Sequence, residues 1–387
     1  MYDNCSIIKS DIGNYYEFLE NYKFKCYYKD SYLAGQWADF EQWKTLAKAK
    51  IFELLNYYPQ EAPLNAKTLN IIDKGYCIQE EIEFNTARNI RVRGSLLLPV
   101  VEGKHPAVIA LHDHGGFYYY GREKIVSQQN ETQILKNFKD LHYGGRSWAD
   151  EIVKRGYVVL CIDAFYFGTR KLNIEQVSDV VLETIPYKFN GIMQNTDEYI
   201  DVFNKFCFAF EALLVKHFFI SGITWPGILF HDDRKCIDYL CTRKEVDKDR
   251  IGCCGLSIGG FRAAHLAALD QRIRCSVVAG WMPTYDSLLF NRLRYHTYMI
   301  YIPNLTYFFD ISDVISLTAP NPLLVQQCSR DGLYNMQGMQ KACLKIREVY
   351  KKIGCPERYR YEFYDNGHEF NVNMQEEAFN WLDSWLK

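Results

Sequence analysis

Hydrophobic and polar positions change period twice along this chain. Residues 1–70 read as mostly helical. In "QWADFEQWKTLAKAKIFELLNYY" (residues 36–58) apolar side chains recur at helical spacing up to Pro59. The period then falls to two. "YCIQEEIEF" (76–84) and "IRVRGSLLLP" (90–99) alternate like half-buried strands joined by a polar turn, an antiparallel pair at a sheet edge. From residue 106 the alternation gives way to unbroken apolar runs: "PAVIALHDHGG", "YVVLCIDAF", "RIGCCGLS", "CSVVAGW", "NPLLVQQCSRDG" and "RYRYEFYDNGHEF". Runs without alternation suit strands buried on both faces. Between them stand the helical patterns "RSWADEIVKRG", "DDRKCIDYLCTR", "IGGFRAAHLAALD", "MQGMQKACLKIREVYKKIG" and "EEAFNWLDSWLK". Such alternation predicts an α/β fold, a mostly parallel sheet with helices on both faces and an antiparallel N-terminal edge.

The pattern divides the chain into an N-terminal helical extension, 1–74, and an α/β domain, 75–387. Two connections, about 166–228 and 282–319, are too long for simple crossovers and read as lids or binding loops. The segment "TYMIYIPNLTYFF" (297–309) is apolar and aromatic enough to pack over a site or over the sheet edge.

Composition narrows the function classes. The chain has 387 residues, 48% apolar and 24% charged, with net charge −2. That argues against nucleic acid or an anionic membrane surface as partner. No signal peptide and no membrane-length apolar run is visible. Thirteen cysteines form no C-x-x-C pair. The expectation is a cytoplasmic protein with reduced, buried thiols. A small-molecule substrate is the expected partner, and self-association is compatible with the sequence.

The chemistry centres on "GLSIG" (255–259), a G-x-S-x-G pattern between a strand and a helix. Ser257 is expected on a strained strand-to-helix turn, its oxygen projecting above the sheet. Gly255 and Gly259 clear the crowded positions around it, and Gly260 lets the helix pack closely. The N–H of Ile258 would face the oxygen that becomes negative during acyl transfer. A serine nucleophile needs a base, and the base an acid. "YDNGHEF" supplies His368 in a loop after the last strand. "PLLVQQCSRDGLYN" supplies Asp331 directly after a buried strand, and Asp365 and Glu369 compete by sequence proximity. A second oxyanion donor is expected after the first buried strand, from the N–H of His114 or Gly115. His112 and His114 sit at i, i+2 and raise a metal alternative, but no third ligand cluster accompanies them. The expected site therefore needs no metal and no cofactor. Trp225, Trp281 and Tyr285, bulky residues of or beside the long connections, are expected to close over the serine and shorten the acyl pocket.

Together "AVIALHDHGG", "EIVKRGYVVLCIDAFYFGTR", "EVDKDRIGCCGLSIGGFRAAHLAALDQRI", "SRDGLY" and "FYDNGHEFN" resemble the α/β-hydrolase superfamily, in its dienelactone-hydrolase and acetyl-xylan-esterase-like branch. The resemblance spans roughly residues 75–387. It implies a serine esterase with Ser257 as nucleophile, His368 as base and Asp331 as acid, acting on small acyl esters, often on sugars. Two departures stand out. The usual histidine–glycine pair of the oxyanion loop is His112–Asp113, and the glycine often found three residues before the acid is Cys328. An amidase or peptidase using the same residues, or a catalytically silent binding protein, is the alternative expectation, the latter kept open by Asp113.

Overall fold

The computed structural model describes residues 9–23, 27–289 and 291–387. Nine strands form one sheet: β1 (Lys67–Asp73), β2 (Cys77–Ala87), β3 (Ile90–Pro99), β4 (His105–Leu111), β5 (Val158–Ile162), β6 (Val246–Leu256), β7 (Ile273–Ala279), β8 (Leu323–Cys328) and β9 (Tyr359–Tyr364). Their order is β1-β2-β3-β5-β4-β6-β7-β8-β9. The β1–β2, β2–β3 and β3–β5 pairs are antiparallel, and every pair from β5 to β9 is parallel.

The unbroken apolar runs have their physical meaning here. Along β4, Ala107, Ile109 and Leu111 join one core cluster, while Val108 and Ala110 join the other; Cys253 and Cys254 of β6 divide the same way. Each strand presents alternate side chains to opposite faces, and both faces are covered. The helices Phe40–Leu55, Trp225–Leu240, Ile258–Leu269 and Met336–Lys352 feed one cluster. Trp148–Lys154 and Val372–Leu386 feed the other.

Three features differ from the periodicity reading. The last part of the N-terminal region is a strand, β1, which pairs with β2 through Lys67↔Glu83 to Asp73↔Ile78. Its side chains are nearly all exposed, so burial leaves no alternating imprint on its sequence. The helix expected from "DDRKCIDYLCTR" starts earlier, at Trp225, where the Thr224 side chain accepts from the Gly227 N–H and Pro226 fills the first turn. A helix not among those expected, Gln133–Tyr143, is capped by Thr132 and leaves Leu141 in solvent.

The first long connection contains the 24-residue helix Asp197–Ile220; the second is a series of short helical turns between Tyr285 and Ser316. In that series Met299, Ile300, Leu305 and Phe309 are buried in the larger core cluster. Among the described residues no single helix is long and apolar enough to cross a membrane. The eleven described cysteines are free, and all but Cys241 are buried. Burial pushes the Cys328 thiol up to about 12.

Candidate active site

Ser257 directly follows β6 with φ 60° and ψ −121°, outside the regions L-residues favour, and the helix Ile258–Leu269 starts at the next residue. The flanking glycines follow from contact distances. A Cβ on Gly259 would lie 2.1 Å from the Leu111 carbonyl oxygen, and one on Gly255 would lie 2.4 Å from the Gly259 carbonyl group. No larger residue fits between β4, β6 and the helix. The Ser257 N–H donates to the Ala279 carbonyl at 2.9 Å, tying the turn to the end of β7. Arg262 on the same helix makes a buried two-point pair with Asp233 (3.0 and 2.6 Å), fixing the helix against Trp225–Leu240.

His368 Nδ1 lies 2.6 Å from Asp331 Oδ2, and the Asp331 side chain is inaccessible to solvent. The second Asp331 oxygen accepts the Leu333 N–H at 2.8 Å, which fixes the carboxylate's orientation. With Nδ1–H donating to Asp331, Nε2 carries the lone pair; it is buried and has no hydrogen-bond partner. His368 Nε2 makes no hydrogen bond to Ser257; what the two residues share is the end of β7. Gly280, next to the carbonyl that holds Ser257, has φ 57°, and a Cβ there would lie 3.2 Å from His368 Cε1. The competing acids are occupied elsewhere. Asp365 is exposed and pairs with Arg330 at 3.0 Å, and Glu369 Oε1 accepts from Asn371. Cys328, the departure before the acid, donates its thiol to the Glu369 carbonyl and so joins the end of β8 to the histidine loop.

The loop after β4 answers both histidines and Asp113. His112 Nε2 accepts the Ala164 N–H at 3.1 Å, so its Nδ1–H donates to the Asp113 carbonyl at 2.9 Å. Burial holds His112 well below its ordinary pKa and keeps it neutral. His114 Nδ1 accepts the Gly116 N–H at 2.9 Å, and its Nε2–H donates to Glu211 at 3.2 Å. Both rings therefore spend their nitrogens on structural hydrogen bonds. The Asp113 carboxylate accepts from Tyr143 at 2.5 Å, with the Lys124 ammonium 3.7 Å away. Lys124 is fully buried, and burial lowers its pKa to about 8 against the pull of Asp113.

Lys124 also orients this loop. Its ammonium donates to the carbonyls of Asp113 (2.5 Å) and His114 (3.2 Å). In a trans peptide the N–H points opposite its carbonyl. The N–H groups of His114 and Gly115 therefore point away from Lys124, and neither donates to another group among the described residues. Sequence reasoning missed Lys124, which carries no motif signal.

It also missed Glu211, for which a signal existed: a lone carboxylate inside "FCFAFEALLV". Glu211 is buried on the helix Asp197–Ile220 and accepts from His114, Tyr118 (2.7 Å), the Thr297 hydroxyl (2.8 Å) and the Tyr298 N–H (3.1 Å). Burial alone would raise its pKa, but these donors hold it below the ordinary value. One carboxylate thereby joins both long connections to the loop after β4. Glu211→Leu strands three side-chain donors and is expected to cost at least about 2 kcal/mol of stability. Urea unfolding with an unchanged slope checks this. Because the folded pKa is depressed, this contribution is full above the unfolded value and is lost as pH falls through the folded one.

The three aromatic residues expected over the serine have different surroundings. Trp281 packs on Phe261 of the serine helix and on Tyr334, whose ring centroid is 6.1 Å from that of His368. Trp225 is buried among Phe165, Tyr166 and Phe218, where it fills the core under the first connection. Tyr285 opens a short helix with its N–H on the Asp310 carboxylate. Tyr334 was not foreseen.

This fold, with a serine on the turn after β6, is that of the α/β-hydrolases, and the chain has the α/β-hydrolase fold. No family model matches the chain. It is 27% identical over 341 residues to "Putative hydrolase YtaP" of Bacillus subtilis (strain 168), covering 88% of this chain and 98% of that protein. Among solved structures, a "putative acetyl xylan esterase" from Bacteroides fragilis NCTC 9343 superposes with a TM-score of 0.68 at 17% identity, covering 93% of this chain and 86% of the other. The glucuronoyl esterase from Solibacter usitatus gives 0.58 at 14% identity, covering 90% and 94%.

Proposed function

We propose that this protein is a serine hydrolase that cleaves a small carboxylic ester through an acyl-enzyme. The observation that carries the reading is the 2.6 Å bond from His368 Nδ1 to buried Asp331, with the opposite ring nitrogen buried and unpartnered, and with both His368 and the Ser257 turn bordering the end of β7. Ser257 Oγ attacks the acyl carbon and its proton passes to His368 Nε2. Asp331 holds the tautomer and stabilises the imidazolium. The tetrahedral oxyanion accepts from the N–H of Ile258 and from that of His114 or Gly115. Collapse expels the alcohol, which takes the proton from His368; water, deprotonated by the same nitrogen, then releases the acid and restores Ser257. None of these steps calls on a cofactor.

Asp113 was the reason to consider a silent binding protein. Its engagement by Tyr143 and Lys124 supports the catalytic reading, because the carboxylate is neutralised by buried partners. The close packing of Trp281 and Tyr334 beside the serine helix supports a short acyl pocket. Acetate and propionate p-nitrophenyl esters are expected to be cleaved with higher kcat/KM than octanoate. A rise with chain length rejects the short pocket. Cleavage of the matching anilides in preference to esters favours an amidase, and no cleavage of either favours the silent protein.

A further inference from the structure

A cleft of about 440 Å³ opens beside the loop after β4, with Gly115 and Gly116 in its lining. One wall is the helix Gln133–Tyr143, through Asn137, Phe138 and Leu141. The other is the helix Asp197–Ile220, through Asn204 and Phe208. Its volume is of the order that holds a whole small ligand. Phe208 and Leu141 are respectively 51% and 68% exposed, apolar side chains in the lining of an open cleft. The charged residues of the lining, Asp201 and Lys205, pair with each other at 2.6 Å. The side-chain oxygens of Asn137 and Asn204 already accept hydrogen bonds, from Gln133 and from the Tyr119 N–H; this leaves their amide hydrogens as the donors for a ligand.

The helix that forms the first wall also touches the histidine loop. His142 Nδ1–H donates to the His368 carbonyl at 3.3 Å, and the Phe370 N–H donates to the His142 carbonyl at 2.8 Å. Phe138, in the cleft lining, packs on His142 with ring centroids 4.5 Å apart. The cleft therefore borders both the loop carrying the oxyanion donors and the helix that abuts His368. We propose that it is the leaving-group subsite of the ester, taking a neutral alcohol with an apolar ring face, and that Phe208 and Leu141 set its preference. This rests on the hydrolase reading above.

Chemistry assigns the side. The alcohol oxygen must take its proton from His368, so the leaving group departs past that residue. The alcohol must also leave before water attacks, which an open cleft permits. The region around Trp281 and Tyr334 is closed, with both residues almost fully buried, and suits a small acyl group. Self-neutralised charge and an apolar lining favour a neutral occupant over an anion, because an unpaired charge placed there loses water without gaining a partner.

The test uses three esters: ethyl acetate, benzyl acetate, with the ring on the alcohol, and ethyl phenylacetate, with the ring on the acyl group. Wild type is expected to favour benzyl over ethyl acetate in KM. In Phe208→Ala and Leu141→Ala that preference should fall roughly five- to tenfold, as expected when an apolar contact is removed. The ratio of ethyl phenylacetate to ethyl acetate should not move with it. Both replacements lie on exposed helix faces, and circular dichroism confirms folding. A change confined to ethyl phenylacetate, or equal KM values in wild type and variants, overturns the subsite. If no ester is hydrolysed and a fluorophosphonate fails to label wild type, the parent reading fails instead.

Discussion

Ser257→Ala is expected to abolish ester hydrolysis, a loss on the order of 10⁶-fold in kcat if the serine, histidine and aspartate act as a unit. Ser257 occupies the turn between β6 and the helix Ile258–Leu269. Its backbone is in a disfavoured region, and the glycines around it leave no room for another side chain. Removing the oxygen should leave the turn intact, because the Ser257 side chain makes no capping hydrogen bond to the helix. The variant should therefore unfold at the wild-type denaturant concentration. A fluorophosphonate should label wild type and not the variant. Equal labelling of both would sink the assignment of the nucleophile.

Asp331→Asn should also be severely damaging, and Asp365→Asn should not. Asp331 is buried, hydrogen-bonded to His368 Nδ1 and held by the Leu333 N–H. An amide of the same shape can present its NH2 to Nδ1, which stabilises the wrong tautomer and leaves Nε2 protonated. In a related arrangement that change costs ~10⁴-fold in kcat. Asp365 is 86% exposed and paired with Arg330, an ion pair of the kind that contributes little. Its replacement should keep kcat/KM within roughly tenfold, about 1.4 kcal/mol of barrier. The measurement is kcat/KM for both variants after circular dichroism. The reverse ranking would transfer the acid to Asp365.

Much of this arrangement is local in origin. The inner parallel strands β4 and β5 were legible because both their faces are buried, which leaves a nearly unbroken apolar run in the sequence; the edge strand β9 is only partly buried and mixes charged with aromatic residues. The serine turn was legible because a close approach between β6, its helix and β4 can be met only by glycine at 255 and 259. Asp331 was readable as a residue directly after a strand, since strand ends of a parallel sheet gather at one edge.

What the sequence could not determine depends on partners far apart in the chain. β1 is exposed, so no burial pattern marks it. Asp113 reads as a hazard in isolation; only the approach of Tyr143 and Lys124 shows where its charge goes. Trp225 and Trp281 are alike as bulky aromatics in sequence, yet one fills the core under a connection and the other packs by the serine helix. Glu211 meets His114 from 97 positions away and Thr297 from 86. A buried carboxylate takes its meaning from the donors that surround it. Packing alone assembles those donors, because hydrogen bonds across such separations leave no periodic trace in the chain.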